Sequence, residues 1–197
     1  MSHSPGTDSH WKFRKRRMAA AAVFPALALM LQMMGQPIYC ACQQFQIWNG
    51  DTWSSHNSQH FLDWYSLTHV SHGLLMAGGT WLLLRKLLNF RGRLLVCLLL
   101  EAGWELLENT PLIVQRYRTA TVALGYTGDS IVNSIGDLLS CFVGFLLAST
   151  LGFRKTVFLL IALELLLLVV IRDNLTLNMV MLSWPLDAIR EWQAAGH

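Results

Sequence analysis

The stretch LLVCLLLEAGWELLENTPLIV, from Leu94 to Val114, decides how this chain is read. At 1.5 Å of rise per residue it is long enough to cross a hydrocarbon core about 30 Å thick. Yet it carries Glu101, Glu105 and Glu108 at steps of four and three, with Asn109 alongside. That spacing lines three carboxylates along one helical stripe. A soluble helix would turn such a stripe to water. A membrane helix must turn it toward neighbouring helices or a wet cavity, because an ionisable side chain inside a span costs about 3 kcal/mol on insertion scales.

The flanking sequence repeats the pattern. Of 197 residues, 53% are hydrophobic and 14% charged, well outside the range of a soluble domain. The apolar residues gather in five blocks, 18–36, 64–84, 94–114, 130–151 and 156–171. The expected fold is therefore all-α, a polytopic transmembrane bundle of five spans. A weaker apolar tract at 175–192, interrupted by Pro185 and flanked by Trp184 and Trp192, reads as an interfacial or re-entrant helix. Residues 1–17 form a basic lead, and 18–197 a single integral membrane domain. The lead followed by Ala19–Met34 has the outline of a signal peptide, but no small-residue cleavage site follows.

Charge sets the orientation. Eleven of the fifteen Lys and Arg fall in the lead, in the loop holding Arg85, Lys86, Arg91 and Arg93, and at Arg154 and Lys155. Arg116, Arg118, Arg172 and Arg190 fall on the other side. Cations are retained in the cytoplasm, so the N-terminus is expected inside and loops 37–63 and 115–129 in the periplasm of a bacterial inner membrane. The net charge of +3 is thus a topology signal and no indication of nucleic-acid binding; membrane lipids are the expected partners.

Three spans carry polar faces. Tyr65, His69, His72 and Met76 share one face of the second, and Asp129, Asn133 and Asp137 follow steps of four at the start of the fourth. Counted from the outer ends at 1.5 Å per residue, His69 and His72 lie about 9 and 13 Å deep, Glu108, Glu105 and Glu101 about 6, 10 and 16 Å, and Asn133 and Asp137 about 6 and 12 Å. All fall in the outer half of the bilayer. The inner halves, such as Leu74–Leu84 and Phe142–Leu151, carry no charge, which disfavours a proton-coupled carrier and favours a pocket open to the periplasm.

Imidazoles with carboxylates, here His69, His72, Glu105 and Asp137, could hold a divalent metal such as zinc, manganese or iron. Together with Glu101, Glu108, Asp129 and Asn133, the same groups could do acid and base chemistry on a lipid or lipid-linked envelope substrate. They could equally be hydrogen-bond glue between helices. Arg116, Tyr117 and Arg118, with Arg172 and Asn174, are candidates for binding a headgroup. Cys97 and Cys141 fall inside spans and read as packing residues. Cys40 and Cys42 stand outside, where such a pair can be structural, bind a soft metal or exchange thiols. The loop Trp48–His60, with His56 and His60, could cover the pocket. A non-catalytic metal, cofactor or partner-protein binding factor of the envelope is therefore the alternative to an enzyme.

These strings resemble a proteobacterial group of multi-pass inner-membrane proteins, uncharacterised protein family 0314 (domain of unknown function 2585). The likeness rests on Cys40-Ala-Cys42, Ser58-Gln59-His60, Asp63-Trp64-Tyr65, His69-Val70-Ser71-His72-Gly73, Glu101 to Glu105, Arg116-Tyr117-Arg118, Gly128-Asp129-Ser130, Arg172-Asp173-Asn174 and Trp184-Pro185-Leu186. Gln43 stands where Gly is expected, and Thr110 where Ser is. The resemblance implies a bacterial inner-membrane protein and no particular activity. A fainter topological similarity to VanZ-like membrane proteins lies in Asp129, Asn133 and Gly136, preceded by spans bearing Glu105 and His69.

Overall fold

A computed structural model describes residues 5–195 except 122 and 124, with side chains described from residue 18 onward. The first four residues of the basic lead lie outside the described residues; from Pro5 the backbone belongs to α1. The chain forms α1 (Pro5–Met34), α2 (Ser66–Leu84), α3 (Phe90–Glu108), α4 (Pro111–Ala120), α5 (Ile131–Leu151), α6 (Phe153–Ile171), α7 (Leu175–Ser183) and α8 (Asp187–Ala194). Two short parallel strands, β1 (Trp48–Asn49) and β2 (Leu62–Asp63), close the loop between α1 and α2. The expected all-α class holds.

Local chemistry fixes the helix ends. Asn89, Thr110, Ser130 and Asn174 each cap a helix by accepting a backbone N–H three residues on. Gly35 (φ +88°) ends α1 in a conformation that a Cβ would strain, and Gly152 (φ +75°) makes the tight joint between α5 and α6.

Two expected boundaries are corrected. The block 94–114 is not one helix: α3 stops at Glu108, and Pro111, which fits only a first helical turn, begins α4. The tract 175–192 is also two helices, broken at Trp184–Pro185. Glu164, midway along α6, accepts from the backbone N–H of Leu175 (3.2 Å) and Thr176 (3.0 Å) at the N-terminus of α7. The chain therefore turns back along α6 after Ile171, as a re-entrant segment would.

Among the described residues, α5 is the one helix long and apolar enough to cross a membrane by itself, with mean hydropathy 1.8; the apolar part of α1, Met18–Met34, is shorter. The histidines of α2, the Arg and Glu residues of α3, and Arg154, Lys155 and Glu164 of α6 hold those helices back on this measure. The packing supplies a second observation. Large apolar side chains are turned outward along several helices, including Met33 and Leu29 of α1, Leu82 and Leu83 of α2, Leu99 and Leu100 of α3, and Phe158, Leu165 and Val169 of α6. Glu101, Glu105, Asn133 and Asp137 are meanwhile buried. This inverts the usual distribution of a water-soluble fold.

The interior is built on the α2–α5 crossing, where the two backbones nearly touch. A Cβ on Gly73 would collide with the carbonyl of Cys141 and stand 2.7 Å from the amide nitrogen of Phe145, and one on Gly144 would collide with the carbonyl of Val70. Small residues at such a crossing are what allow helices to pack without a hydrophobic driving force. Leu27, Leu31, Leu98, Leu138 and Phe145 fill the apolar end of the bundle. The polar groups occupy the other end.

Candidate functional site

At that polar end α2, α3 and α5 present their stripes to one another. Glu101 is fully buried and lies against both imidazoles of α2: its Oε1 is 2.5 Å from His69 Nδ1, and its Oε2 is 3.0 Å from His72 Nδ1. The two rings meet edge to face with centroids 5.0 Å apart, and His72 also meets the edge of Trp104. A carboxylate accepting from both Nδ1–H groups fixes both tautomers and leaves each Nε2 lone pair free to act. His69 Nε2 lies 3.9 Å from Asp137 Oδ2, and its Nδ1 is 3.4 Å from Glu105 Oε1.

Beside this cluster is a cavity of about 440 Å³, within the size range of small-molecule sites. His69, His72, Glu108, Tyr117, Asp129 and Asp137 line it, six residues singled out from sequence. Glu101, Glu105 and Asn133 stand behind its wall. Glu101 is thereby a positioning residue for the imidazoles. Asn133 donates to the carbonyl of His60 (2.9 Å) and ties the loop between α1 and α2 to α5. Both carboxyl oxygens of Glu105 lack a hydrogen-bond partner, as do Asp137 Oδ1 and Ser134 Oγ.

The arginines sit elsewhere. Arg116 Nε donates to the carbonyl of Leu182 (2.8 Å), Arg118 Nε to that of Tyr126, and Arg172 Nη1 to that of Trp192 (2.9 Å). None of the three lines the cavity. Asn174 is engaged as the cap of α7 and donates to the carbonyl of Glu164. Cys40 and Cys42 are joined as a disulfide outside the cavity, and the fully buried Cys97 and Cys141 place their sulfurs 3.6 Å apart.

The wall also holds Tyr126, Asp173 and Asn178, which the helical spacing did not single out. Tyr65 donates to Asp173 Oδ2 (3.2 Å), and Tyr117 to Asn178 Oδ1 (3.2 Å), so the segment folded back after Ile171 closes one side. Asp129 accepts from the hydroxyl of Tyr126 (2.9 Å) and from Asn109 Nδ2 (3.4 Å), and its backbone N–H donates to Asn109 Oδ1 (2.7 Å). Burial pushes the Asp129 carboxyl up to about 7, against the Tyr126 bond, and the Asp173 carboxyl up to about 6. Both therefore titrate near neutrality. Burial likewise raises Asp63, opposed by the backbone N–H groups of Ser58, Tyr65 and Ser66 that its carboxylate accepts.

Two donor groups in this region have ligand atoms within 4.8 Å of one another: His69, His72 and Glu101, and His69, Glu105 and Glu108. The quartet expected from sequence is divided between them, with Asp137 in neither.

A family model described as "Protein of unknown function (DUF2585)" matches residues 31–195, which spans the whole cavity. A UPF0314 protein of Rhizobium etli (strain CIAT 652) is 48% identical over 189 residues, covering 94% of this chain and 96% of that protein. The chain belongs to the UPF0314 family. Another UPF0314 member, from Sinorhizobium fredii, is 46% identical over 98% of this chain and 99% of its own length. One from Paracoccus denitrificans is 43% identical over 90% and 91%. No solved structure matches. The UPF0314 relatives named here carry no VanZ-like description.

Proposed function

We propose that this UPF0314 protein is a multi-pass inner-membrane protein whose α2–α3–α5 cavity opens to the periplasm and processes a lipid or lipid-linked envelope substrate. The observation that carries the reading is the cavity itself. It is large enough for a headgroup and lined by imidazole, carboxyl and phenol groups, inside helices whose outer faces are Leu, Val, Phe and Met. The outward apolar faces support five spans formed by α1, α2, α3, α5 and α6, with the re-entrant α7 packed against them.

In this reading His72 is the acid–base group. Its Nδ1 is held by Glu101, and its ring lines the cavity. His69 stands second to it, between Glu101 and Asp137. Asp129 and Asp173, which titrate near neutrality, take up or release protons at the rim. Arg116 and Arg118, held by carbonyls, shape the wall through Tyr117 and Tyr126, leaving Tyr65, Thr68 and Asn178 to meet a polar headgroup. The test is a lipid profile of a deletion strain complemented with wild type or His72→Ala. An accumulated lipid species that wild type clears and His72→Ala does not is expected. An unchanged lipid profile removes the enzyme reading.

The two donor groups favour a second reading, a non-catalytic divalent-metal or partner-binding factor. Metal analysis of the purified protein separates the readings, since a stoichiometric metal that His72→Ala loses belongs to this centre.

A further inference from the structure

Outside the cavity a second cluster brings together side chains of another chemistry. Cys40, Cys42, His56 and His60 each offer a ligand atom, all within 4.8 Å of one another. Tetrahedral coordination at about 2.3 Å to sulfur and 2.0 to 2.1 Å to nitrogen sets donor separations of roughly 3.3 to 3.8 Å. The bound of 4.8 Å is within a small adjustment of that. Cys40 Sγ is already 3.2 Å from His56 Nδ1, and the two imidazoles stack with centroids 5.8 Å apart.

The cluster is anchored. The segment before Cys40 is held by the N–H groups of Ile131 and Val132, which donate to the carbonyls of Pro37 and Ile38 (2.8 and 3.0 Å). The segment around His60 is held by Ser130, whose N–H donates to the carbonyl of Ser58 and whose hydroxyl donates to that of Gln59. Both ligand segments thus hang from the first turn of α5. Cys40 and His60 are 3% and 2% exposed, and His60 Nδ1 is buried without any hydrogen-bond partner. A buried ring nitrogen with no hydrogen-bond partner keeps its capacity to act as a metal ligand.

We infer that Cys40, Cys42, His56 and His60 form a Cys₂His₂ site for a zinc-class transition metal, separate from the cavity centre and opened by reduction of the Cys40–Cys42 disulfide. A dithiol reductant converts that bond to two thiols while becoming a disulfide itself, so two electrons and two protons pass to the protein. Zn²⁺ then binds both sulfurs as thiolates and displaces those two protons to solvent. Asn57, Ser58 and Gln59, which lie between the two histidine ligands, line the cavity. The metal consequently clamps a cavity wall, and a disulfide oxidant, itself reduced to a dithiol by the two electrons of the thiolates and two protons from solvent, re-forms the Cys40–Cys42 bond and releases the metal.

The test uses the full-length protein in detergent, reduced with a dithiol, freed of reductant under anaerobic conditions and titrated with Co²⁺ and then Zn²⁺. The expected result is one Co²⁺ per chain with a thiolate-to-cobalt charge-transfer band, displaced by Zn²⁺ and absent from the oxidised protein. Cys40→Ser with Cys42→Ser abolishes the band. His56→Ala, a change at an exposed side chain that leaves the buried framework in place, weakens affinity by more than the roughly 10 to 100-fold typical of an outer-shell partner. His72→Ala leaves the band unchanged, which separates this site from the cavity centre. Reduced wild type without a charge-transfer band, or a band that survives the double serine variant, overturns the inference.

Discussion

Replacing Glu101 by Gln perturbs the candidate centre at one point with little change in volume. The native carboxylate is fully buried and meets two Nδ1 atoms, at 2.5 and 3.0 Å. A carboxamide keeps one acceptor oxygen and turns a donor toward the other ring. One charge-assisted hydrogen bond is therefore lost, about 1.5 to 3 kcal/mol in a soluble protein. Interhelical polar contacts in membranes, the setting proposed for this centre, contribute less, averaging about 0.6 and reaching about 1.7 kcal/mol. The expected destabilisation is therefore about 1 to 2 kcal/mol. Full truncation, Glu101→Ala, leaves two unpaired rings and a void, and should cost about 3 to 5 kcal/mol. Reversible unfolding in mixed micelles measures both. Nitrogen NMR of labelled histidine adds the mechanism: wild type should hold His69 and His72 as Nδ1–H tautomers, and Glu101→Gln should release one of them. A Gln variant within about 0.5 kcal/mol of wild type with both tautomers unchanged would refute the assignment of Glu101 as the anchor of the two rings.

Other outcomes follow from the same geometry. Gly144→Ala drives a methyl into the Val70 carbonyl and should cost about 1 to 3 kcal/mol in the same unfolding assay, whereas Gly78→Ala, with open space around it, should cost almost nothing. Asp129 and Asp173 have folded-state values raised to about 7 and about 6 from an ordinary 3.8. The folded state binds more protons across that window, so their contribution is fully present below about 4 and is lost as pH rises through 6 and 7. Asp129→Asn should flatten the upper part of that slope in unfolding curves taken from pH 5 to 8. Glu164→Gln removes the negative charge at the N-terminus of α7 and should weaken that cap by about 0.3 to 1 kcal/mol, seen as faster proteolysis near Trp184 than in wild type.

Much of the polar centre is legible in the sequence, because helical periodicity is a local property. The four and three spacing of Glu101, Glu105 and Glu108, matched to His69 and His72, put imidazoles and carboxylates at one depth, and the fold joins Glu101 to both rings. What spacing cannot supply is the direction of a side chain relative to a cavity. Glu101 and Glu105 sit behind the wall while Glu108, on the same stripe, lines it.

The arginines show the same limit. By position Arg116 and Arg118 look like headgroup clamps, but each spends its Nε on a backbone carbonyl, of Leu182 and of Tyr126, distant in sequence or across a turn. Pro111 did carry a signal, since a proline fits a helix start better than its interior; the apolar run Leu112 to Val114 obscured it. Asp173 and Asn178 enter the cavity only because the chain folds back after Ile171, a turn made by Arg172 in the left-handed region (φ +53°) that no residue preference announces. His56 and His60 were visible as loop residues, but their meeting with Cys40 and Cys42 depends on both segments hanging from α5.

The central claim is that a polar cavity opens to the periplasm inside an apolar, lipid-facing shell. Labelling with a membrane-impermeant thiol reagent in intact spheroplasts tests it most directly. Single cysteines would be placed at Thr68 in the cavity wall and at Leu83 on the outer face of α2, in a background lacking the native four. The account predicts labelling of Thr68→Cys without permeabilisation and none of Leu83→Cys. Labelling of Thr68→Cys only after the inner membrane is opened, or equal labelling of Leu83→Cys by the aqueous reagent, would contradict it.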